Sequence, residues 1–148
     1  MSAMKISTRG RYALRMLVDI AENQDRGYVS LKDISERQGI SKKYLEQIVS
    51  LLNSAGMLKA GRGFQGGYKL SRELGDYSVA DILRVTEGNL APVSCLEGET
   101  NTCERCRNCD TLFVWQGLME TVENYLERIT LRDILSRKKR KIEDYVLL

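Results

Sequence analysis

The 148-residue sequence predicts a mainly α-helical fold with a small β-hairpin wing, a winged helix-turn-helix followed by a long dimerisation helix. Three patterns lead to it. The first 56 residues hold three segments with helical apolar periodicity, separated by glycine-containing turns. A glycine-rich stretch with strand-like flanks follows, and from Leu112 apolar residues recur at the spacing of one helix seam.

Across "TRGRYALRMLVDIA", residues 8–21, Tyr12, Met16, Leu17, Ile20 and Ala21 share one side of a helix, with Arg9, Arg11, Arg15, Asp19 and the following Glu22 on the other. "QDRGY" interrupts the pattern. Ser30 then opens "SLKDISERQGI" as a capping box in which Asp33 can reach back to the Ser30 amide, and a helix of about two turns runs to Gln38. Gly39 suits the left-handed turn that stops this helix, and Ser41 caps the next, "SKKYLEQIVSLLNSAG", which ends at Gly56. Helix, glycine turn, helix is the order of a helix-turn-helix.

In the third helix Tyr44, Ile48, Leu51, Leu52 and Ala55 form an inward stripe, leaving Lys42, Lys43, Glu46, Gln47, Ser50 and Asn53 outside. Glutamine and asparagine can bond adenine, and glutamate can accept from cytosine. Many paired helices never meet DNA, so this pattern needs a second element. "MLKAGRGFQGGYKLS" supplies one: a strand over 57–60, a glycine-rich tip and a returning strand over 68–70. Gly61, Gly63, Gly66 and Gly67 let the tip approach another backbone closely, while Arg62 projects a permanent charge from it. A helix-turn-helix followed by an arginine-tipped hairpin favours binding to double-stranded DNA over a plain surface hairpin. The candidate contacts are Lys42, Lys43, Tyr44, Glu46, Gln47, Ser50, Arg62 and Gly63.

"YSVADILRVTEG" makes a short helix ended by Gly88, and Pro92 leads into a loop that contains every cysteine of the chain: Cys95, Cys103, Cys106 and Cys109. The last three form C-x2-C-x2-C, a spacing used to hold iron–sulfur clusters. Glu99, Thr100, Asn101, Glu104, Asn108 and Asp110 around them belong in a loop rather than a core, and Arg105 and Arg107 favour thiolate over thiol. A 2Fe–2S or 4Fe–4S cluster is the first expectation. Zinc is the alternative, although zinc sites more often pair two separate C-x2-C knuckles, and disulfide or thiol redox sensing comes third. After the loop, Trp115, Leu118, Met119, Val122, Tyr125, Leu126 and Ile129 mark a long helix that either packs inside the core or joins two copies. A homodimer is the expectation, because a two-fold pair doubles the length of DNA that one small reader can grip.

Charge divides the chain in the same way. Residues 1–72 carry thirteen Lys/Arg against six Asp/Glu, whereas residues 73–136 carry five against twelve, so a basic half stands beside an acidic one. "RKKRK" at 137–141 is expected as a solvated, poorly ordered tail. There is no long apolar span and no apolar segment behind the basic N-terminus, which points to a cytoplasmic protein with no membrane partner. No histidine, no obvious nucleophile–base pair and no phosphate-binding glycine motif argue against an enzyme. An electron carrier and a zinc-stapled winged helix without a sensing role are the rival readings.

"STRGRYAL", "SLKDISERQGISKKYLEQIVSLLNSAGMLKAGRGFQGGYKL" and the cysteine loop ahead of a long helix resemble the Rrf2 family of winged-helix transcription regulators, from Met4 to about Leu135. The resemblance implies a homodimer whose third helix enters the major groove, whose wing touches the minor groove and whose long helices cross between subunits. It gives Glu46 the role of base reader, Arg62 that of the wing arginine, and Cys95, Cys103 and Cys109 those of three cluster ligands. The family's histidine ligand falls at Leu112, which cannot coordinate a metal, so Cys106 becomes the candidate fourth ligand, with a carboxylate or a residue of the other subunit in reserve. The Cys95–Cys103 interval is longer than in the cluster-assembly branch, while "MKIST", "EGNLAPV" and "YVLL" look closer to the cysteine-metabolism branch. The expected division is therefore 1–87 for DNA binding, 88–111 for the cysteine loop, 112–135 for the dimerisation helix and 136–148 for the basic tail. The expected function is a repressor or dual regulator of cluster-assembly or sulfur-metabolism genes, switched by a cluster.

Overall fold

The computed structural model describes residues 5–63 and 66–146. Six helices and one two-stranded sheet follow in order: α1 (Thr8–Asn23), α2 (Leu31–Gln38), α3 (Lys42–Ser54), β1 (Leu58–Gly61), β2 (Gly67–Leu70), α4 (Val79–Glu87), α5 (Leu112–Arg128) and α6 (Leu131–Val146). A mainly helical chain with a small antiparallel hairpin is thus what forms. Wing-tip positions 64 and 65, Met4 and the last two residues of "YVLL" lie outside the described residues.

Serine starts four of the helices. The hydroxyls of Ser7, Ser30, Ser41 and Ser78 accept from the N–H groups of Gly10, Asp33, Tyr44 and Asp81, each satisfying a donor that the first turn leaves without an intrahelical partner. At Ser30 only the serine half of the expected box is made among the described residues. Gly39 closes α2 in the left-handed conformation at φ 65°, which a side chain would strain.

The core is one cluster. Met16, Leu17 and Ile20 of α1 meet Ile34 of α2, Leu45, Ile48 and Leu52 of α3, Leu58 and Leu70 of the hairpin, and Ile82 of α4. Burial of each such aliphatic side chain contributes about 1.5–3 kcal/mol, which outweighs the weak local propensity of a two-turn helix such as α2. The hairpin pairs Leu58 with Leu70, Lys59 with Lys69, Ala60 with Tyr68 and Gly61 with Gly67. A third short segment joins it, since Val29 and Tyr68 exchange backbone hydrogen bonds of 2.9 and 2.8 Å. Tyr77 is fully buried and locks the hairpin to the helical layer: its hydroxyl donates to the Met57 carbonyl and accepts from the Ser71 and Arg72 amides at 3.0 and 3.2 Å.

Four expectations need correction, the last of them at the C-terminus. Asp19, assigned to the polar side of α1, is 2% exposed; its carboxylate accepts from Nε and Nη2 of Arg37 and from Nε2 of Gln38, which ties α1 to α2. The inward stripe of α3 is rotated, with Leu45, Ile48, Val49 and Leu52 buried and Tyr44, Leu51 and Ala55 half-buried. The helix expected over 112–135 breaks at Ile129 and Thr130, because that backbone pairs with the segment before α4: Val79 N–H donates to Ile129 O, and Leu131 N–H donates to Tyr77 O.

A new helix starts at the break. The Thr130 N–H and hydroxyl donate to Asp133 Oδ2 at 2.9 and 3.0 Å, a reciprocal cap that the spacing T-x-x-D could have disclosed. The same bonds lower the Asp133 pKa below its ordinary value. Leu131, with no exposed surface, pins α6 to the core, so the run 137–141 is helical instead of an unstructured tail. Its five cations are exposed, and Lys138 reaches Glu22 at 2.6 Å.

Candidate nucleic-acid interface and cysteine loop

With Leu45, Ile48, Val49 and Leu52 locked inside, the opposite side of α3 presents Lys42, Lys43, Glu46, Gln47 and Ser50 to solvent. Lys43, Glu46, Gln47 and Ser50 line one open cleft, together with Leu51 and with Arg9 of α1. No sequence pattern joins Arg9 to this group, because the contact spans about forty residues of chain and depends on how α1 packs beside α3. Tyr44 is half-buried where the others are exposed, and its ring meets Tyr12 edge-on, with centroids 5.7 Å apart.

Arg62 and Gly63 are exposed at the hairpin end. Their placement depends on Tyr28, which the sequence reading passed over. The Tyr28 ring lies so close to Gly61 that a Cβ there would sit 2.6 Å from ring carbons, and the Lys69 ammonium lies 4.9 Å from the ring centroid. A flat ring against a bare backbone therefore clamps the hairpin one residue before Arg62.

The cysteine loop runs from Gly88 to the start of α5 as irregular turns, apart from a single 3-10 turn, Ser94–Leu96, that carries Cys95. Cys106 N–H donates to Cys103 O at 3.1 Å, Asn108 N–H to Arg105 O at 3.0 Å, and Leu112 N–H to Cys109 O at 3.4 Å, so the turns feed directly into α5. All four thiols are free, with Cys103 exposed and the other three half-buried. Thr111 Oγ1 stands 3.6 Å from Cys109 Sγ, and this contact lowers the Cys109 thiol pKa from its ordinary value. The four sulfurs are not gathered: among the described residues no three Cys, His, Asp or Glu side chains are arranged to hold one ion. The donor chemistry does fit a thiophilic centre. Four unpaired thiols share a loop that contributes nothing to the buried core, and Asn101 Nδ2 is buried without a hydrogen-bond partner among the described residues, two positions from Cys103.

Beyond the loop, α5 has no buried residue in its seventeen. Phe113 is 72% and Tyr125 55% exposed, and Val114, Trp115 and Leu118 also face solvent. Met119, Val122, Leu126 and Ile129 are half-buried. Arg84 of α4 donates to Glu127 of α5 at 2.7 Å and to Asp81 at 3.1 Å, an exposed network that raises the Arg84 pKa chiefly through its bond to Glu127. No described helix is long and apolar enough to cross a membrane.

Comparison with known proteins agrees with this geometry. Residues 6–137 match the Rrf2 family, described as "Iron-dependent Transcriptional regulator". The chain is 37% identical to the HTH-type transcriptional regulator CymR of Bacillus subtilis, over 97% of this chain and 98% of that protein. The solved structure of CymR, titled the global cysteine regulator of B. subtilis, superposes with a TM-score of 0.74 at 36% identity, covering 90% of this chain and 97% of that one. The structure of T. potens IscR gives a TM-score of 0.72 at 40% identity, covering 90% and 88%.

Proposed function

The chain belongs to the Rrf2 family of DNA-binding transcriptional regulators, which are not enzymes, and from that premise we propose that it is a cytoplasmic homodimeric repressor whose hold on a pseudo-palindromic operator responds to an iron–sulfur cluster held by Cys95, Cys103, Cys106 and Cys109. Genes of cluster assembly or cysteine metabolism are the proposed targets, in keeping with the relatives named IscR and CymR. The observation that carries the reading is the solvent-facing side of α3: five polar or charged side chains on a helix whose other side is held by four buried aliphatics.

On that face Glu46 accepts from a cytosine amino group, Gln47 bonds adenine, Lys42 and Lys43 neutralise phosphates, and Ser50 serves either role. Arg62 extends contact from the wing to the flanking backbone or minor groove. Tyr44 supports these side chains from behind through Tyr12. The uncovered apolar side of α5 supports the homodimer, since large aromatic side chains seldom stay in water along one side of a helix. A two-fold pair then sets the spacing of two reading helices.

When bound, an iron–sulfur cluster supplies a centre whose presence and redox state change with the supply of iron, sulfur or oxidants. The polypeptide supplies the route outward. The turns from Cys103 to Cys109 run into the first turn of α5, so ordering the loop orders the start of the helix on which the two copies meet. Arg84 links α5 back to α4 and the reading head. Only a difference in cluster affinity between the DNA-competent and DNA-incompetent dimers can drive such a switch.

The test is an anaerobic preparation analysed for visible absorption, iron, sulfide and zinc, then titrated onto randomised DNA with and without its centre. Iron and sulfide at the thiols, a selected palindrome and a change of affinity on stripping are expected. A colourless protein with stoichiometric zinc, or equal affinity of loaded and stripped forms, refutes cluster sensing while leaving DNA binding intact. Glu46→Ala should relax sequence choice; unchanged affinity and preference would refute the reading helix.

A further inference from the structure

We propose that Arg9 is a DNA-phosphate contact of the same interface, held in place by Thr86 and Glu87 at the root of the cysteine loop. The inference rests on the assignment of α3 as the reading helix and adds a residue to it from α1.

Arg9 is exposed and lines the cleft that Lys43, Glu46, Gln47 and Ser50 also line. Its Nε donates to the Thr86 carbonyl at 2.9 Å, and its two terminal nitrogens have no partner among the described residues. One edge of the guanidinium is thereby anchored while the other keeps its donors for an oxyanion. Phosphates border the groove that a reading helix fills, and arginine side chains standing beside such a helix bond them, so a cation at the border between α1 and α3 meets phosphate rather than a base edge.

The anchor is built from several contacts. Ser7, the N-cap of α1, donates both its N–H and its hydroxyl to Glu87 Oε1, and Glu87 is the last residue of α4. Gly10 admits this approach: a Cβ there would collide with Glu87 Oε1 and stand 3.0 Å from a Leu83 methyl. The carboxylate also compensates the positive end of the α1 dipole. Directly after Glu87 comes Gly88, where the cysteine loop begins. The residues that fix Arg9 are therefore those that fix the loop's point of departure, which makes Glu87 a positioning residue for the DNA contact.

The experiment measures operator affinity of the full-length protein against salt concentration for wild type, Arg9→Ala, Arg9→Lys, Glu87→Ala and the Arg9→Ala/Glu87→Ala double variant, with circular dichroism as the check on folding. Arg9→Ala should weaken all DNA sequences alike and reduce the slope of log K against log salt by about 0.9 per protomer. Arg9→Lys should recover most of the slope, because it keeps the charge. Glu87→Ala should weaken binding severalfold, and that loss should vanish when Arg9 is already alanine. An unchanged salt slope in a folded Arg9→Ala protein overturns the phosphate contact. Equal losses from Glu87→Ala in both backgrounds overturn the positioning role. If Arg9→Ala does not fold, a slope for Arg9→Lys equal to wild type together with a Glu87→Ala loss supports the proposal, and wild-type affinity of Glu87→Ala overturns it. Sequence preference that responds to Glu46→Ala while the Arg9 variants have no effect leaves the reading helix standing and removes only this inference.

Discussion

Asp19 is almost completely buried while its partner Arg37 keeps 40% of its side chain in solvent, so truncating the two ends of this one ion pair should have unequal consequences. Asp19→Ala releases a guanidinium that is already partly hydrated and removes the cost of a buried carboxylate. The loss is that of hydrogen bonds to a charged group, offset by recovered desolvation, or about 1–3 kcal/mol. Arg37→Ala instead strands the carboxylate beside Gln38 alone, and breaking a buried pair from that side costs about 3–5 kcal/mol. The double variant should lie close to Asp19→Ala, because the stranded charge is gone. Urea unfolding followed by circular dichroism reads the difference: with a slope of about 2 kcal/mol/M, the two midpoints should separate by roughly 1 M. Protein concentration must be held constant, since association stabilises any dimer. An Arg37→Ala protein as stable as Asp19→Ala would refute the claim that the pair's energetics follow the burial of the carboxylate.

Other perturbations test the remaining contacts. Gly61→Ala should displace the Tyr28 ring, costing on the order of 1 kcal/mol, and weaken operator binding through Arg62; in a Tyr28→Ala background the same change should be nearly neutral in a thermal melt. Asp133 has a lowered pKa because Thr130 donates to it, so the α6 cap is complete above the ordinary carboxylate range and is lost as the pH falls through the depressed folded value. A carboxyl-carbon NMR titration should place its midpoint below that of an unperturbed aspartate, and Thr130→Val should move it upward; an unmoved midpoint counts against the cap. Trp115→Asp together with Phe113→Asp should yield a monomer in analytical ultracentrifugation if α5 joins two copies, whereas an unchanged sedimentation coefficient would rule that face out.

Much of the architecture was readable because its signals are local. Ser30, Gly39 and Ser41 bound α2 and α3 as their cap and turn chemistry requires, and alternation around the glycine-rich tip located the hairpin to within one residue at each strand. The polar face of α3 followed from helical period alone, apart from a rotation that buried Leu45 and Val49 and turned Tyr44 toward Tyr12. The end of α5 escaped, because apolar spacing continues through Ile129 while the helix stops there to pair with the segment before α4, at sequence intervals of 50 for Val79–Ile129, 52 for Ser78–Thr130 and 54 for Tyr77–Leu131.

Composition and spacing by themselves determined the element types as far as α5, the basic reading head, the wing cation and the collection of four thiols in one loop, since helix caps, turns and ligand spacing are properties of neighbouring residues. Packing alone decided which charges meet. Asp19 found Arg37, Arg9 came to the cleft of α3 by way of Thr86, Glu87 reached Ser7 and Tyr28 came to lie on Gly61 only once a shared hydrophobic core had brought separate segments of backbone together. Such contacts carry no periodic trace in the chain, because each is set by distances in space that the sequence interval between the partners does not encode.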